Sequence, residues 1–163
     1  MLRTIQLVTV LIVVLAVVPS GAHALELPGK LRLAREQYLM VQRIYFPGFV
    51  LVGGIAETLS VFATLGLLIM LPSGTQQHRL TLAALVALIV MRAIFWIVTQ
   101  PANQVWLREQ PAHSSSTAPK ADISKNSSDW MLQRSRWEYS HLVRALLAYS
   151  AVVLLVGSLI FAD

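Results

Sequence analysis

FVLVGGIAETLSVFATLGLLIML, residues 49–71, runs for 23 positions with one charged side chain, Glu57. A helix rises about 1.5 Å per residue and a bilayer's hydrocarbon core is about 30 Å thick, so about 20 mainly apolar residues can cross it. This stretch is long enough, and it has two counterparts downstream. Residues 80–99 carry only Arg92, and residues 142–162 only Arg144 near their start. A fourth run, 5–18, is shorter and extends through small residues to Ala24.

The rest of the composition agrees. Of 163 residues, 56% are apolar and 13% charged, against about 25% charged in a soluble domain. Mean hydropathy is +0.64. So few charges cannot cover a water-soluble surface, which argues against a soluble enzyme, a disordered chain or a DNA-binding domain. The pI of 10.1 comes from cations that flank apolar runs, so it reads as membrane orientation and not as phosphate binding; no nucleic acid partner is expected. The absence of cysteine removes disulfides, thiolate nucleophiles and iron–sulfur ligation. The chain reads as one all-α domain over 1–163, an integral membrane four-helix bundle with the lipid bilayer as its partner. Spans are expected at about 5–24, 49–71, 80–99 and 142–162.

The first run has a second reading. Arg3, an apolar stretch and Ala22-His23-Ala24 imitate a secretory signal with its cleavage site. A retained span is preferred, because cleavage would leave three helices whose polar groups lose a neighbour. Between the first two spans, Leu31, Ala34, Tyr38, Val41 and Tyr45 recur at helical spacing. That pattern predicts an amphipathic helix at the membrane interface, or an extension of the second span, broken by Pro47-Gly48. Residues 104–129, rich in Ser and Pro, predict a mobile connector. With four spans both long connectors share one side and carry Lys30, Arg32, Arg35, Arg43, Arg108, Lys120, Lys125, Arg134 and Arg136, against Arg3 and Arg79 opposite. The positive-inside rule places the long connectors in the cytoplasm, in a bacterial inner membrane.

Intramembrane charge costs about 2.5–3.5 kcal/mol on insertion scales, so each such residue should face protein or water. Glu57 and Arg92 fall roughly 10–12 Å deep on consecutive antiparallel helices, which predicts an ion pair. Gly53, Glu57, Ser60 and Thr64 share one face of the second span. Arg92, Trp96, Thr99 and Asn103 fall in one arc of the third if the helix passes Pro101, where a kink is expected. The fourth helix is expected to start near Trp130, with Arg134, Trp137, Glu138, His141 and Arg144 on one face and Tyr149 near its edge. Glu138 stands three residues from His141, placed to orient its ring. His23, Tyr45 and Asn103 belong to the same membrane side. This predicts a polar pocket at one end of the bundle and none at the other, around Leu71 and Leu155. One Glu-x-x-His, at 138–141, is too little for a di-iron site, so no metal and no cofactor is expected. His78 and His113 are loop residues with nothing chemical around them.

Three sets of residues carry a family resemblance: Ala22-His23-Ala24-Leu25-Glu26-Leu27-Pro28 after span one, Thr99-Gln100-Pro101-Ala102-Asn103 at the end of span three, and Trp137-Glu138-x-x-His141-x-x-Arg144 opening span four. Their order resembles the anthrone-oxygenase-like family of small four-helix membrane proteins, most without an assigned function. The resemblance implies that Asn103, Trp137, Glu138, His141 and Arg144 hold signature positions, and that the first span is retained. It implies oxidation of anthrones to anthraquinones by molecular oxygen, without metal or flavin. His141 oriented by Glu138 would be the base, Arg144 or Asn103 would hold the oxyanion, and Trp96, Trp137 and Tyr149, with His23, would bind a flat aromatic small molecule. Two other readings stay open: a non-catalytic scaffold or accessory subunit with an unknown protein partner, whose Trp and Arg residues are interfacial anchors, and a haem- or quinone-binding bundle.

Overall fold

The computed structural model of the chain describes residues 1–108 and 123–161. Every described element is helical: α1 (Leu2–Lys30), α2 (Arg35–Gly48), a π-helical turn (Phe49–Gly53), α3 (Gly54–Met70), α4 (Gln76–Ile94), a second π-helical turn (Phe95–Thr99), α5 (Gln100–Arg108) and α6 (Ile123–Ile160). Four stretches are long and apolar enough to cross a bilayer: Leu2–Lys30, Phe49–Met70, Gln76–Gln104 and Asp129–Ile160.

The second span keeps its expected bounds to within a residue, the first and third outrun theirs at both ends, and the fourth starts earlier. Helix α1 continues through Pro19 and Pro28 to Lys30, about 44 Å at 1.5 Å per residue, so its last two turns reach beyond the hydrocarbon. Proline inside a membrane helix is tolerated where neighbouring elements and local adjustments satisfy the freed carbonyl. Helix α6 starts at Ile123 and α5 ends at Arg108. Both ends of the expected connector are therefore helical, and its middle lies outside the described residues.

The helix expected between the first two spans is present, and it takes the extension form: α2 runs on into α3, and Pro47-Gly48 do not end it. Proline removes one i→i−4 bond and crowds the carbonyl four residues back. At Pro101 that carbonyl belongs to Ile97, inside the widened turn, which absorbs both defects without breaking the rod.

Packing is antiparallel. Val13, Leu67, Leu88, Ala148, Ala151 and Leu155 meet at the centre, all nearly inaccessible. The alanines of α6 let its neighbours approach closely. Gly53, the last residue of the π turn ahead of α3, does the same against α1: a Cβ there would lie 3.3 Å from the Pro19 ring. Leu11, Val18, Phe62, Ile69, Ile97 and Val153 are exposed on the outside, as lipid-facing positions should be. A second apolar cluster of Tyr38, Ala102, Trp130 and Trp137 forms under α2 at the connector end.

The end around Leu71 and Leu155 also holds buried polar side chains. Gln6, Thr9, Thr64, Thr81 and Ser158 are buried there or next to it, and the hydroxyls of Thr81 and Ser158 stand 3.1 Å apart. Hydroxyls cost little inside a helix because they bond their own backbone, as Thr9 does to the Ile5 carbonyl at 2.8 Å. Groups that titrate still concentrate at the other end.

Candidate functional site

Two π turns and a proline shape the connector end, and α6 supplies its polar wall. Arg134, Trp137, Glu138, His141 and Arg144 are each buried to 7% exposure or less. The 3.6-residue period puts them on one stripe, and the long helix carries that stripe inward. Around it lies a cavity of about 90 Å³ lined by Ser20, His23, Tyr45, Phe49, Glu57, Phe95, Asn103, Trp137, His141 and Arg144, among others. That is room for ordered water beside the polar side chains.

Its floor is ionic. Glu57 is 4% exposed and holds two arginines: the Arg144 guanidinium on Oε1, and Arg92 Nη1 at 3.4 Å from Oε2. The expected Glu57–Arg92 pair is thus part of a trio that the sequence did not reveal, since Arg144 lies 87 positions from Glu57. Arg144 also lies over the Phe95 ring at 5.1 Å.

The histidines sit above this floor. His141 Nδ1 is 2.9 Å from the Trp137 carbonyl. A carbonyl only accepts, so Nδ1 carries hydrogen, and in the neutral ring the lone pair is on Nε2. The ring packs on Trp137, centroids 4.0 Å apart, and meets His23 at 4.5 Å. Orientation by Glu138 was expected; the carbonyl does it instead. Glu138 Oε1 accepts from the Tyr38 hydroxyl at 2.8 Å, because a side chain three residues before His141 turns to α2 where α6 faces it. Arg134 donates to the carbonyls of Lys30 and of Leu33, the latter at 3.2 Å. The C-terminal end of α1 carries the negative end of the helix dipole, so a cation is favoured there.

His23 is enclosed by aromatic rings: Phe49 at 4.8 Å, Trp137 at 4.9 Å and Tyr45 at 5.9 Å. Lys30 Nζ lies 2.7 Å from its Nδ1 and 2.9 Å from Glu26 Oε2. Lys30 is only 3% exposed and stands over the Tyr45 and Trp137 rings at 5.1 and 5.5 Å. Sequence reasoning counted Lys30 as a loop cation and left Glu26 aside. Positions 23, 26 and 30 share a helical face at i, i+3 and i+7, a signal available once α1 is taken past Pro28.

Asn103 keeps its place on the cavity wall, its Oδ1 accepting from Trp137 Nε1 at 2.7 Å. Trp96 and Tyr149 do not line the cavity; they are 58% and 50% exposed. The wide turn at Phe95–Thr99 changes the angular phase, so Thr99 turns inward to Ser140 Oγ at 2.9 Å while Trp96 stays outside beneath the Arg92 guanidinium. Tyr149 lies across Gly21, where a Cβ would be 3.0 Å from its hydroxyl. Tyr38, whose sequence signal is only its helical spacing, is fully buried; burial, then the Glu138 charge, push its phenol well above the ordinary value. Burial and Glu26 also raise that of Tyr45. Among the described residues no three of His, Cys, Asp or Glu gather as a metal cluster would require.

The family model of anthrone oxygenase matches residues 41–154. The chain belongs to the anthrone oxygenase family. The family match takes in Glu57, Arg92, Asn103, Trp137, Glu138, His141 and Arg144; His23, Glu26, Lys30 and Tyr38 precede it. No curated protein and no solved structure matches the chain.

Proposed function

We propose that this membrane protein is a cofactor-independent oxygenase acting on flat aromatic ketones dissolved in the bilayer, anthrones being the type. The observation that carries the reading is His141: its Nδ1 is held by a backbone carbonyl, and its ring lines a cavity among aromatic side chains. Its other nitrogen is the base. It removes a proton from the methylene opposite the ketone, and the carbon keeps the electron pair as an enolate. The enolate reduces dioxygen and a carbon–oxygen bond forms, giving a peroxide. Loss of the second methylene proton with cleavage of the O–O bond yields a carbonyl and water, so one O₂ is consumed per quinone formed. The protein supplies a positioned base, worth about 10²–10⁴-fold, and the cationic field of Arg144 on the enolate oxygen. Asn103 carries an amide on the same wall. The cavity is below the 300–1,000 Å³ of ordinary ligand pockets, so a fused-ring ketone binds with outward movement of the α2 wall.

A haem held between His23 and His141 is not favoured, because the two rings touch and leave no gap for a macrocycle. The scaffold reading draws on the exposed Trp96 and Tyr149, which would meet a partner's helix. The deciding experiment measures oxygen uptake and quinone absorbance with anthrone in nanodiscs. His141→Ala is expected to lower turnover by at least 10²-fold with unchanged helicity. Wild-type protein that does not exceed empty nanodiscs would sink the oxygenase reading, and loss of assembly in His141→Ala would favour the scaffold.

A further inference from the structure

Two histidines face one cavity, and their hydrogen bonds give them opposite roles. A lysine ammonium has three donors and no acceptor. The 2.7 Å contact between Lys30 Nζ and His23 Nδ1 therefore makes Nδ1 an acceptor, and the neutral His23 ring carries its hydrogen on Nε2. His141 is the reverse, with hydrogen on Nδ1 toward the Trp137 carbonyl and a lone pair on Nε2. Both rings line the cavity and their centroids are 4.5 Å apart. No hydrogen bond occupies either Nε2 among the described residues. One ring offers a proton where the other accepts one. Lys30 keeps this asymmetry in place: it is buried, and Glu26 at 2.9 Å and the Tyr45 and Trp137 rings hold its charge against His23.

We infer that the cavity is a keto–enol tautomerase for membrane-soluble aromatic ketones, with His141 as base and His23, backed by Lys30, as acid, and that this activity needs no oxygen. The inference rests on the reading of His141 as a base given above. His141 Nε2 takes the proton of the acidic C–H, and that bond's electron pair becomes the new carbon–carbon π bond. The carbonyl π pair moves to oxygen, which takes the Nε2 proton of His23. His23 is left as an imidazolate held on Nδ1 by the Lys30 ammonium, His141 is left as the imidazolium, and exchange with solvent restores both. Two protons move, no electrons leave the ligand, and no oxidant is consumed. His141 and His23 are the groups that meet the ligand, and Lys30 is a positioning residue that acts through His23. The ligand must carry a carbonyl and an acidic C–H joined through a conjugated ring.

The test is anaerobic. Anthrone in D₂O with protein in nanodiscs is followed by NMR for exchange of its methylene hydrogens. Wild type is expected to exceed empty nanodiscs, with a drop of about 10²-fold in Lys30→Met and near-wild-type exchange in Lys30→Arg, which keeps a donor-only cation against Nδ1. Independently, ¹⁵N-histidine spectra of the unsubstituted protein should show one Nε2–H and one Nδ1–H tautomer for His23 and His141, so the inference can be tested even if Lys30→Met does not fold. The same tautomer at both histidines, or exchange unaltered in folded Lys30→Met, overturns it. Quinone formation in air without anaerobic exchange also overturns it and leaves the oxygenase reading standing. Exchange without oxidation in air does the opposite.

Discussion

Glu57 carries the heaviest electrostatic duty of any single residue here. It is buried between Arg144, itself 4% exposed, and the half-buried Arg92. Removing one partner of a buried pair leaves the other uncompensated, at about 3–5 kcal/mol. Glu57→Gln should therefore lower thermal stability in detergent far more than Arg92→Leu, whose guanidinium retains access to the surroundings. Equal losses in the two variants would mean that Arg144 is not held as described. Tyr38 makes a pH prediction. Its phenol is raised in the fold by burial and by Glu138, while in the unfolded chain it ionises near pH 10. Below about pH 10 both states keep the proton and this contribution is intact. Above it the unfolded state loses protons first, so stability falls as pH rises. Tyr38→Phe should flatten that alkaline limb in unfolding scans run from pH 8 to 11. An unchanged limb would place the titration elsewhere.

At the scale of elements, two adjacent glycines separate close packing from open space. A Cβ at Gly53 would press on Pro19 at 3.3–3.4 Å, whereas one at Gly54 meets nothing within 4 Å. Gly53→Ala should cost about 1–2 kcal/mol through overpacking of α1 on α3, and Gly54→Ala should cost nothing, since alanine is the better helix former. Thermal melts of the two variants check this, and a reversed order would mean that α1 and α3 meet in another register. The π turns do more positioning than any helix proper. They bring Phe49 and Phe95 to the cavity and turn Thr99 toward α6. Relief of a proline by a wide turn is a backbone event with no periodic mark in the side chains. The sequence therefore predicted a break at Pro47-Gly48 and a kink at Pro101, and kept Trp96 on the inner arc.

Across the whole molecule, four spans place the turn at Pro72-Ser73-Gly74 on one side of the membrane and α2 with the start of α6 on the other. The chain has no cysteine, so single cysteines report cleanly. Ser73→Cys and Arg136→Cys, both at exposed positions, should react with a membrane-impermeant maleimide from opposite faces of sealed vesicles. Labelling of both from one face would contradict the four-span topology.

What the sequence determined by itself was the class of solvent and the number of rods. Apolar runs of about 20 residues have few alternatives to crossing a bilayer, and 3.6-residue spacing put Arg134, Trp137, Glu138, His141 and Arg144 on one stripe before any coordinates. Tertiary structure alone decided who partners whom. Glu138 could have turned to His141 three residues on, yet it met Tyr38 a hundred positions away. Glu57 gathered Arg144 as well as Arg92, and Lys30 left the connector to stand behind His23. In a low-dielectric interior a buried charge takes whichever complementary group the packing brings within reach, and periodicity along one helix says nothing about the rotation of its neighbour.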